Sequence, residues 1–400
     1  MKVDTMRKID FYVGIPLTFL VSIVVRFFDI FRRKPSNKKI LFIELSEMGS
    51  TVLADPAMRK IRDHSSAALY FVIFSKNRMS LDLLKTIPDE NIFVLRDNTL
   101  FLLLWDAWRY LWWCRRQKFY ATVDLELFSR VSALLSGCSG AIHRVGFYKF
   151  YNEGLYRGNM LTHRVSYNPH MHISKNFIAL VNALISPDKE IPYSKTKITD
   201  DEVILPIIES TEAGKIAIYQ KIKAISPDFL HEKNKIILIN PNASDLLPQR
   251  RWMPSYFESV IRKMIADFPD HYVLITGAPA EYTQAQLLCD AVSHVRCINF
   301  AGQTKFTQLI DLYNVSKIML TNDSGPGHFS AVTSLKTFVI FGPETPALYG
   351  SLGNSTPIYA GLACSPCVSA SNHRKTACQD NVCLKVLTPE IVYHIVKQSL

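Results

Sequence analysis

Between Lys317 and Pro343 the chain reads K-I-M-L-T-N-D-S-G-P-G-H-F-S-A-V-T-S-L-K-T-F-V-I-F-G-P. Its centre, Asp323-Ser324-Gly325-Pro326-Gly327-His328, brings together a carboxylate, a hydroxyl, two glycines and an imidazole. Glycines let a backbone approach a ligand closely, and a helix starting here aims N–H groups and a positive dipole end outward. A phosphate is the natural guest. Helix capping by Asp323 or Ser324 accounts for the same residues without a ligand. A second group is Cys364, Cys367, Cys378 and Cys383, four of the eight cysteines in a C-x2-C-x10-C-x4-C pattern. That spacing is open to a structural zinc, to two disulfides or to reduced thiols in a loop.

A phosphate-binding turn needs strands to hold it. Residues 318–320 and 337–341 are short apolar runs on either side of it, a strand–helix–strand unit. The same order repeats upstream: 236–239 leads into a loop at Asn240, 272–276 into a turn at Gly277, and 307–315 reads as a short helix. Earlier still, Lys39–Ile43, 69–74 and 91–95 read as strands, with 52–61 helical. With 400 residues and 48% apolar content, the chain has material for two cores. The change of domain is expected in the polar, proline-bearing stretch 186–234.

The formal charge of +11 calls for an anionic partner, and the basic residues lie beside apolar segments. Residues 11–25 are almost continuously apolar, preceded by Arg7 and Lys8 and followed by Arg26, Arg32, Arg33, Lys34, Lys38 and Lys39. Extended to Phe31 the run reaches 21 residues, close to the ~20 of a bilayer-crossing helix. Arg26 and Asp29 interrupt it, however, which favours an interfacial or re-entrant anchor over a full crossing. No small-x-small cleavage site follows, against a secretory signal. A crossing helix with this flank would keep the rest of the chain in the cytosol. The alternative is a buried helix of the first domain. Residues 100–118 carry Trp105, Trp108, Trp112 and Trp113 with Arg109, Arg115, Arg116 and Lys118, a pattern open to a second membrane contact or to a core stripe. A nucleic-acid partner is excluded, since no recognition module is visible.

The motif Asp323 to His328, with Phe341-Gly342-Pro343, resembles the D-S-G-x-x-H and F-G-P signature of glycosyltransferase family 9, the heptosyltransferase-like enzymes of bacterial surface-polysaccharide synthesis. The likeness extends over most of the chain from Lys39. It implies an α/β GT-B fold, with two Rossmann-like domains facing across a cleft and an N-terminal apolar membrane-associating helix. The expected division is residues 1–35 for the membrane segment, 36–200 for the acceptor side and 201–400 for nucleotide-sugar binding. Asn240-Pro241-Asn242-Ala243-Ser244 resembles the family's N-P-G-A-S loop, which marks Asn242 and Ser244 as donor-binding. Arg250-Arg251-Trp252-Met253-Pro254 resembles its basic-x-W-P step, and two guanidiniums there suit a diphosphate leaving group. Thr276, Gly277 and Glu281 match T-G-x-x-x-E, whose glutamate is expected on a ribose hydroxyl. Gly302 and Thr304 belong to the loop expected against the base. Asp323, Ser324, Gly325, Pro326, Gly327 and His328 complete the donor set.

In the acceptor half, residues 119–125, Arg130 to Leu135 and Arg144-Val145-Gly146-Phe147 resemble the family's strand, helix and R-x-G-F steps. Arg130, Arg144, Arg157, His163, Arg164, His170 and His172 are candidates to line an anionic acceptor site. The opening loop departs from the family pattern R-L-S-S-x-G-D. Glu44 replaces a basic residue, Glu47 a serine, and Ser50 the aspartate presumed to be the general base. A serine cannot take up a proton unaided at neutral pH, so Glu47, in the same loop, is the first candidate base and Asp55 the second.

The activity implied is transfer of a sugar, with inversion and without a metal, from a nucleotide-sugar to an anionic lipid-linked or lipopolysaccharide-core acceptor. The expected place is the cytoplasmic face of the inner membrane, with the membrane surface as a partner. No cofactor is required. Clustered cysteines recur in this region of the family, and a cytosolic setting disfavours disulfides. Structural zinc at Cys364, Cys367, Cys378 and Cys383 ranks below reduced thiols, the spacing being no standard knuckle. The rival function is a non-catalytic nucleotide-sugar-binding or assembly protein that lost its base at Ser50.

Overall fold

The computed structural model describes residues 10–31, 38–45, 47–127, 129–151, 155–369 and 375–400. The basic flanks Arg7-Lys8 and Arg32-Arg33-Lys34, Ser46 of the opening loop and Phe128 lie outside the described residues. The chain divides into two compact units, Met1–Ile204 and Leu205–Leu400.

In the first unit, β1 (Lys39–Ile43), β2 (Ala68–Phe74), β3 (Ile92–Leu95), β4 (Ala121–Asp124), β5 (His143–Phe147) and β6 (His163–Val165) form one sheet in the order β3-β2-β1-β4-β5-β6. The second unit repeats the order from its own first strand: β7 (Lys235–Asn240), β8 (His271–Ile275), β9 (Cys297–Asn299), β10 (Ile318–Asn322), β11 (Lys336–Phe341) and β12 (Ser355–Tyr359) stand as β9-β8-β7-β10-β11-β12. Every strand pairing is parallel. This is the doubly wound order of dinucleotide-binding domains, whose ligand loops leave the carboxyl ends of the strands where the order reverses. Sequences such as K-I-L-F-I and K-I-I-L-I-N suit it, because a parallel strand covered on both faces needs apolar side chains at successive positions. Two Rossmann-like α/β domains of GT-B class are what the chain builds.

The helices that concern the sites are α1 (Gly14–Asp29), α2 (Met48–Ser65), α3 (Leu100–Gln117), α4 (Arg130–Cys138), α5 (Ile173–Ile185), α6 (Glu212–Ile225), α7 (Pro254–Asp267), α8 (Tyr282–Val292), α9 (Leu309–Asn314), α10 (Gly325–Ser330) and α11 (Pro389–Lys397). The polar stretch expected to be linker contains α6, capped by Thr211, whose Oγ1 accepts from the Gly214 N–H. The helix following β1 starts at Met48, within the segment expected to be loop.

Helix α1 lies along the first unit, packed on α4 by Val21 and Val25 against Ala133, Leu134 and Met160. Both of its ends are tied down. Just ahead of it Asp10 pairs with Arg130, and at its end Asp29 Oδ2 sits 2.5 Å from Arg144 Nη2. Between them the Ser22 hydroxyl accepts from the Asn159 N–H at 2.7 Å, and Arg26 Nε donates to the Asn159 carbonyl at 2.9 Å. Arg26 and Asp29, which interrupt the apolar run, are therefore the contacts that fasten it. The helix is neither a buried core element nor free of the domain. Its inner edge is small and polar, and its outer face, with Leu20, Ile23, Val24, Phe27 and Phe28, is exposed.

Three of the arginines expected at an anionic acceptor site are spent elsewhere. Arg130, Arg144 and Arg157 are buried and pair with Asp10, Asp29 and Asp124. A buried guanidinium without a carboxylate is costly, and each of these already has one. His163 is half-buried, and desolvation lowers its pKa to about 4, so it is neutral near pH 7.

Candidate functional site

The loops after β7, β8, β9, β10 and β11 all leave the carboxyl edge of the second sheet, and hydrogen bonds knit them into one surface. At the reversal between β7 and β10, Asn322 Nδ2 donates to the Pro241 carbonyl at 2.7 Å while its Oδ1 accepts from the Trp252 N–H at 3.1 Å. Asn240 and Asn242 each donate through Nδ2 to the Thr276 carbonyl at 3.3 Å, joining the first loop to the second. The Gly302 N–H in turn donates to the Gly277 carbonyl at 2.9 Å, joining the second to the third. Gly302 has φ +74°, which a side chain would strain, and it packs against Pro279.

Trp252 is the peg of the arginine segment. It is fully buried, its ring packs edge-on against Phe257, and its Nε1–H reaches the Leu387 carbonyl at 2.9 Å. The two residues before it are thereby placed in the loop cluster, but not equivalently. Arg250 is mostly buried, with Nη2 2.7 Å from Glu344 Oε2 and Nε 3.6 Å from Asp323 Oδ2. Arg251 is exposed, held by the Ala243 carbonyl at 2.6 Å from Nη2 and by Asp245. Burial works against the charge on Arg250, but Asp323 and Glu344 outweigh it and raise its pKa. Burial lifts the Glu344 carboxyl to about 8, with Arg250 opposing.

Glu281 folds back on its own turn: Oε2 accepts from the Ala278 N–H at 2.6 Å, and burial raises its pKa. A methyl group on Gly277 would come within 2.8 Å of Asn242 Nδ2 and 2.9 Å of Glu281 Oε2. Gly277→Ala is therefore expected to displace both side chains, cost about 1–3 kcal/mol of stability as an overpacked site does, and weaken nucleotide binding about tenfold. Thermal unfolding and calorimetric titration with a nucleoside diphosphate check the two effects separately.

Helix α10 is shorter than the motif suggests, six residues from Gly325 to Ser330. Pro326 carries no N–H, and the Gly327 N–H is spent on the Ser324 carbonyl at 3.2 Å. Its first turn thus offers few donors, and the arginines carry more of the site's positive charge than the helix end does. The Ser324 hydroxyl donates to the Asn322 carbonyl at 3.1 Å. His328 is buried with Nδ1 3.4 Å from Ser351 Oγ. Ser244 is exposed and its Oγ accepts from the Leu246 N–H at 3.2 Å, while Thr304 stands half-buried two residues past Gly302.

All fifteen donor-side residues read from the sequence thus belong to one loop cluster of the second unit, and Glu47 and Asp55 belong to the first. Asp55 is fully buried, with Oδ2 2.7 Å from Arg59 Nε and Oδ1 accepting from the Thr86 hydroxyl. Both oxygens of Asp55 are engaged by the protein. Glu47 is partly exposed at the N-cap position of α2. Its neighbour Leu45 is held through its N–H by Glu126 Oε1 at 2.8 Å and through its carbonyl by Asn77 Nδ2 at 2.7 Å, which fixes the loop.

Glu344, Asn322 and Asn240 also hold this cluster together, though the sequence reading did not mark them as donor-binding. The signal for Glu344 was its place directly after Phe341-Gly342-Pro343, at a ligand edge. The four clustered cysteines are unlinked thiols. Among the described residues no three or more His, Cys, Asp or Glu side chains come together as a metal site.

Comparison with known proteins agrees with this architecture. Lipooligosaccharide heptosyltransferase 2 of Campylobacter jejuni (serotype O:2) is 26% identical over 373 residues, covering 90% of this chain and 98% of the relative. The solved structure of Escherichia coli ADP-heptose LPS heptosyltransferase II superposes with TM-score 0.67 at 18% identity, covering 90% of this chain and 98% of that one. The structure of E. coli heptosyltransferase WaaC with ADP superposes with TM-score 0.60 at 14% identity, covering 90% and 100%. Residues 115–377, well over half the chain, match the family model of glycosyltransferase family 9 (heptosyltransferase), and the chain belongs to that family of sugar-transferring enzymes.

Proposed function

We propose that this glycosyltransferase moves a heptose from ADP-heptose to a lipopolysaccharide-core acceptor, by inversion and without a metal. The observation that carries the reading is the convergence, on one sheet edge, of a ribose-type carboxylate (Glu281), two guanidiniums (Arg250, Arg251) and the Asp323 to His328 turn. Near-complete coverage of a lipooligosaccharide heptosyltransferase supports the sugar and the acceptor, and the relative solved with ADP supports the nucleotide. Charge grows on the diphosphate as the glycosidic bond breaks, and cations already oriented by the protein stabilise it without reorganising. Glu281 takes a ribose hydroxyl and the loop at Gly302 and Thr304 the base. Glu47 takes the proton of the attacking acceptor hydroxyl, in preference to Asp55.

The proposed place is the cytoplasmic face of the inner membrane. The apolar segment Asp10–Asp29, which includes α1, has mean hydropathy 2.0 and is long and apolar enough to cross a bilayer; the proposed placement is instead in the plane of the membrane surface. Ties to the domain at both ends support this geometry.

The test is incubation with ADP-heptose and a heptose-deficient core acceptor, followed by mass spectrometry. One added heptose and one ADP per turnover are expected. Ser50, standing where the family has its aspartate, favours a second reading as a donor-binding assembly protein. Donor binding without transfer to any core acceptor would assign that instead.

A further inference from the structure

Helix α3 turns only one edge inward. Asp106, Tyr110 and Cys114 are buried, and Leu103 and Trp113 pack on the core, while the opposite stripe is apolar and exposed. Along that stripe Phe101 is 75% exposed, Leu104 62%, Trp105 50%, Trp108 52% and Trp112 68%. The indoles form a ladder, with ring centroids 5.3 Å apart for Trp105 and Trp108 and 6.4 Å for Trp108 and Trp112. Soluble helices rarely leave such a stripe to water, since each ring would gain by burial.

The stripe shares its side of the unit with α1. Both helices pack on α4: α1 through Val21 and Val25, and α3 through the Tyr110 hydroxyl, which donates to the Leu135 carbonyl at 3.0 Å, and through Arg115 Nη1, 3.0 Å from the Cys138 carbonyl. The strand order puts α3 and α4 on the same face of the sheet, because the crossover from β3 to β4 and the connection from β4 to β5 run in the same direction, and α1 joins them there by packing on α4.

Charge selects the occupant. The single acid of α3, Asp106, is buried and bound by Arg96 and Arg109. Asp10 and Asp29, flanking and ending α1, are likewise paired with buried arginines. Arg109, Arg115, Arg116 and Lys118 are exposed at the margin of the aromatic stripe. Indoles beside basic heads match the interface of a bilayer carrying anionic headgroups. We propose that the outer face of α3 is a second membrane-inserting element, which together with α1 seats one side of the first unit in an anionic phospholipid surface. The proposal rests on the membrane location given above, not on the identity of the sugar or acceptor.

The test uses the full chain and vesicles of phosphatidylglycerol and phosphatidylethanolamine without glycolipid, so it needs no turnover. Brominated acyl chains are expected to quench the wild-type tryptophan emission, since only Trp113 and Trp252 are held inside the protein. In a Trp105→Ser, Trp108→Ser, Trp112→Ser variant with an unchanged thermal transition, vesicle affinity should fall at least about tenfold. Absence of quenching in the wild type overturns the proposal without any variant. So does wild-type vesicle affinity in the triple variant, and so does a variant that changes from dimer to monomer while binding vesicles as before, which would make the stripe a protein interface.

Discussion

Replacing Arg250 with alanine is expected to lower the stability of the second unit by about 3–5 kcal/mol and to weaken donor binding and turnover at least about 100-fold. The guanidinium is mostly buried and lies 2.7 Å from one buried carboxylate, on Glu344, and 3.6 Å from another, on Asp323. Taking it away leaves two buried carboxyl groups facing each other with no cation between them. Arg250→Lys restores a charge but not the planar fork that meets both carboxylates, and is expected to fall between. Arg251→Ala separates the two roles, since its side chain is 41% exposed and its removal strands no buried charge. There stability should hold while turnover falls. Differential scanning calorimetry with steady-state kinetics on the three variants checks this, and an Arg250→Ala protein that melts like wild type would show that the pair does not bear on the fold.

The same cluster sets a pH dependence. Glu344 titrates near 4.5 when free in the unfolded chain and near 8 when buried beside Arg250. Between those values the folded chain holds more protons, so this group's contribution to stability declines as pH rises through the window. Glu344→Gln cannot titrate, and its melting temperature relative to wild type should rise steadily from pH 5 to pH 8.

Glu47→Gln is expected to reduce kcat by about 10²–10⁴-fold with KM for the donor and thermal stability near wild type, the signature of a lost general base. Asp55→Asn is expected to do the reverse. Its two oxygens hold Arg59 and Thr86 inside the protein, so its loss appears as a lower melting temperature with residual turnover roughly in proportion to folded protein. A Glu47→Gln enzyme with wild-type kcat would return the proton to water or to another side chain.

The sheets were legible because a parallel strand buried on both faces is written as an unbroken apolar run, as in residues 39–43 and 236–240. The loops expected to hold a donor were legible as loops because they follow those runs directly. What sequence hid depends on partners far along the chain. Arg130, Arg144 and Arg157 read as free cations for an acceptor, and only the fold brings Asp10, Asp29 and Asp124 to them. Arg250 and Arg251 are adjacent letters of one type, yet the turn before Trp252 sends one into the carboxylates and leaves the other outside. Helix α6 was hidden by its polar face, since few of its side chains are buried. The register at α2 was missed because Gly49 and Ser50 read as loop residues while tertiary packing carries the helix through them.

Isothermal titration of the intact chain with ADP and with ADP-heptose bears most directly on the second unit as a pyrophosphate-gripping domain. Saturable one-to-one uptake is predicted, with Kd in roughly the micromolar range and weakened at least about tenfold by Arg251→Ala. A folded protein that takes up no nucleoside diphosphate, free or sugar-linked, would contradict it.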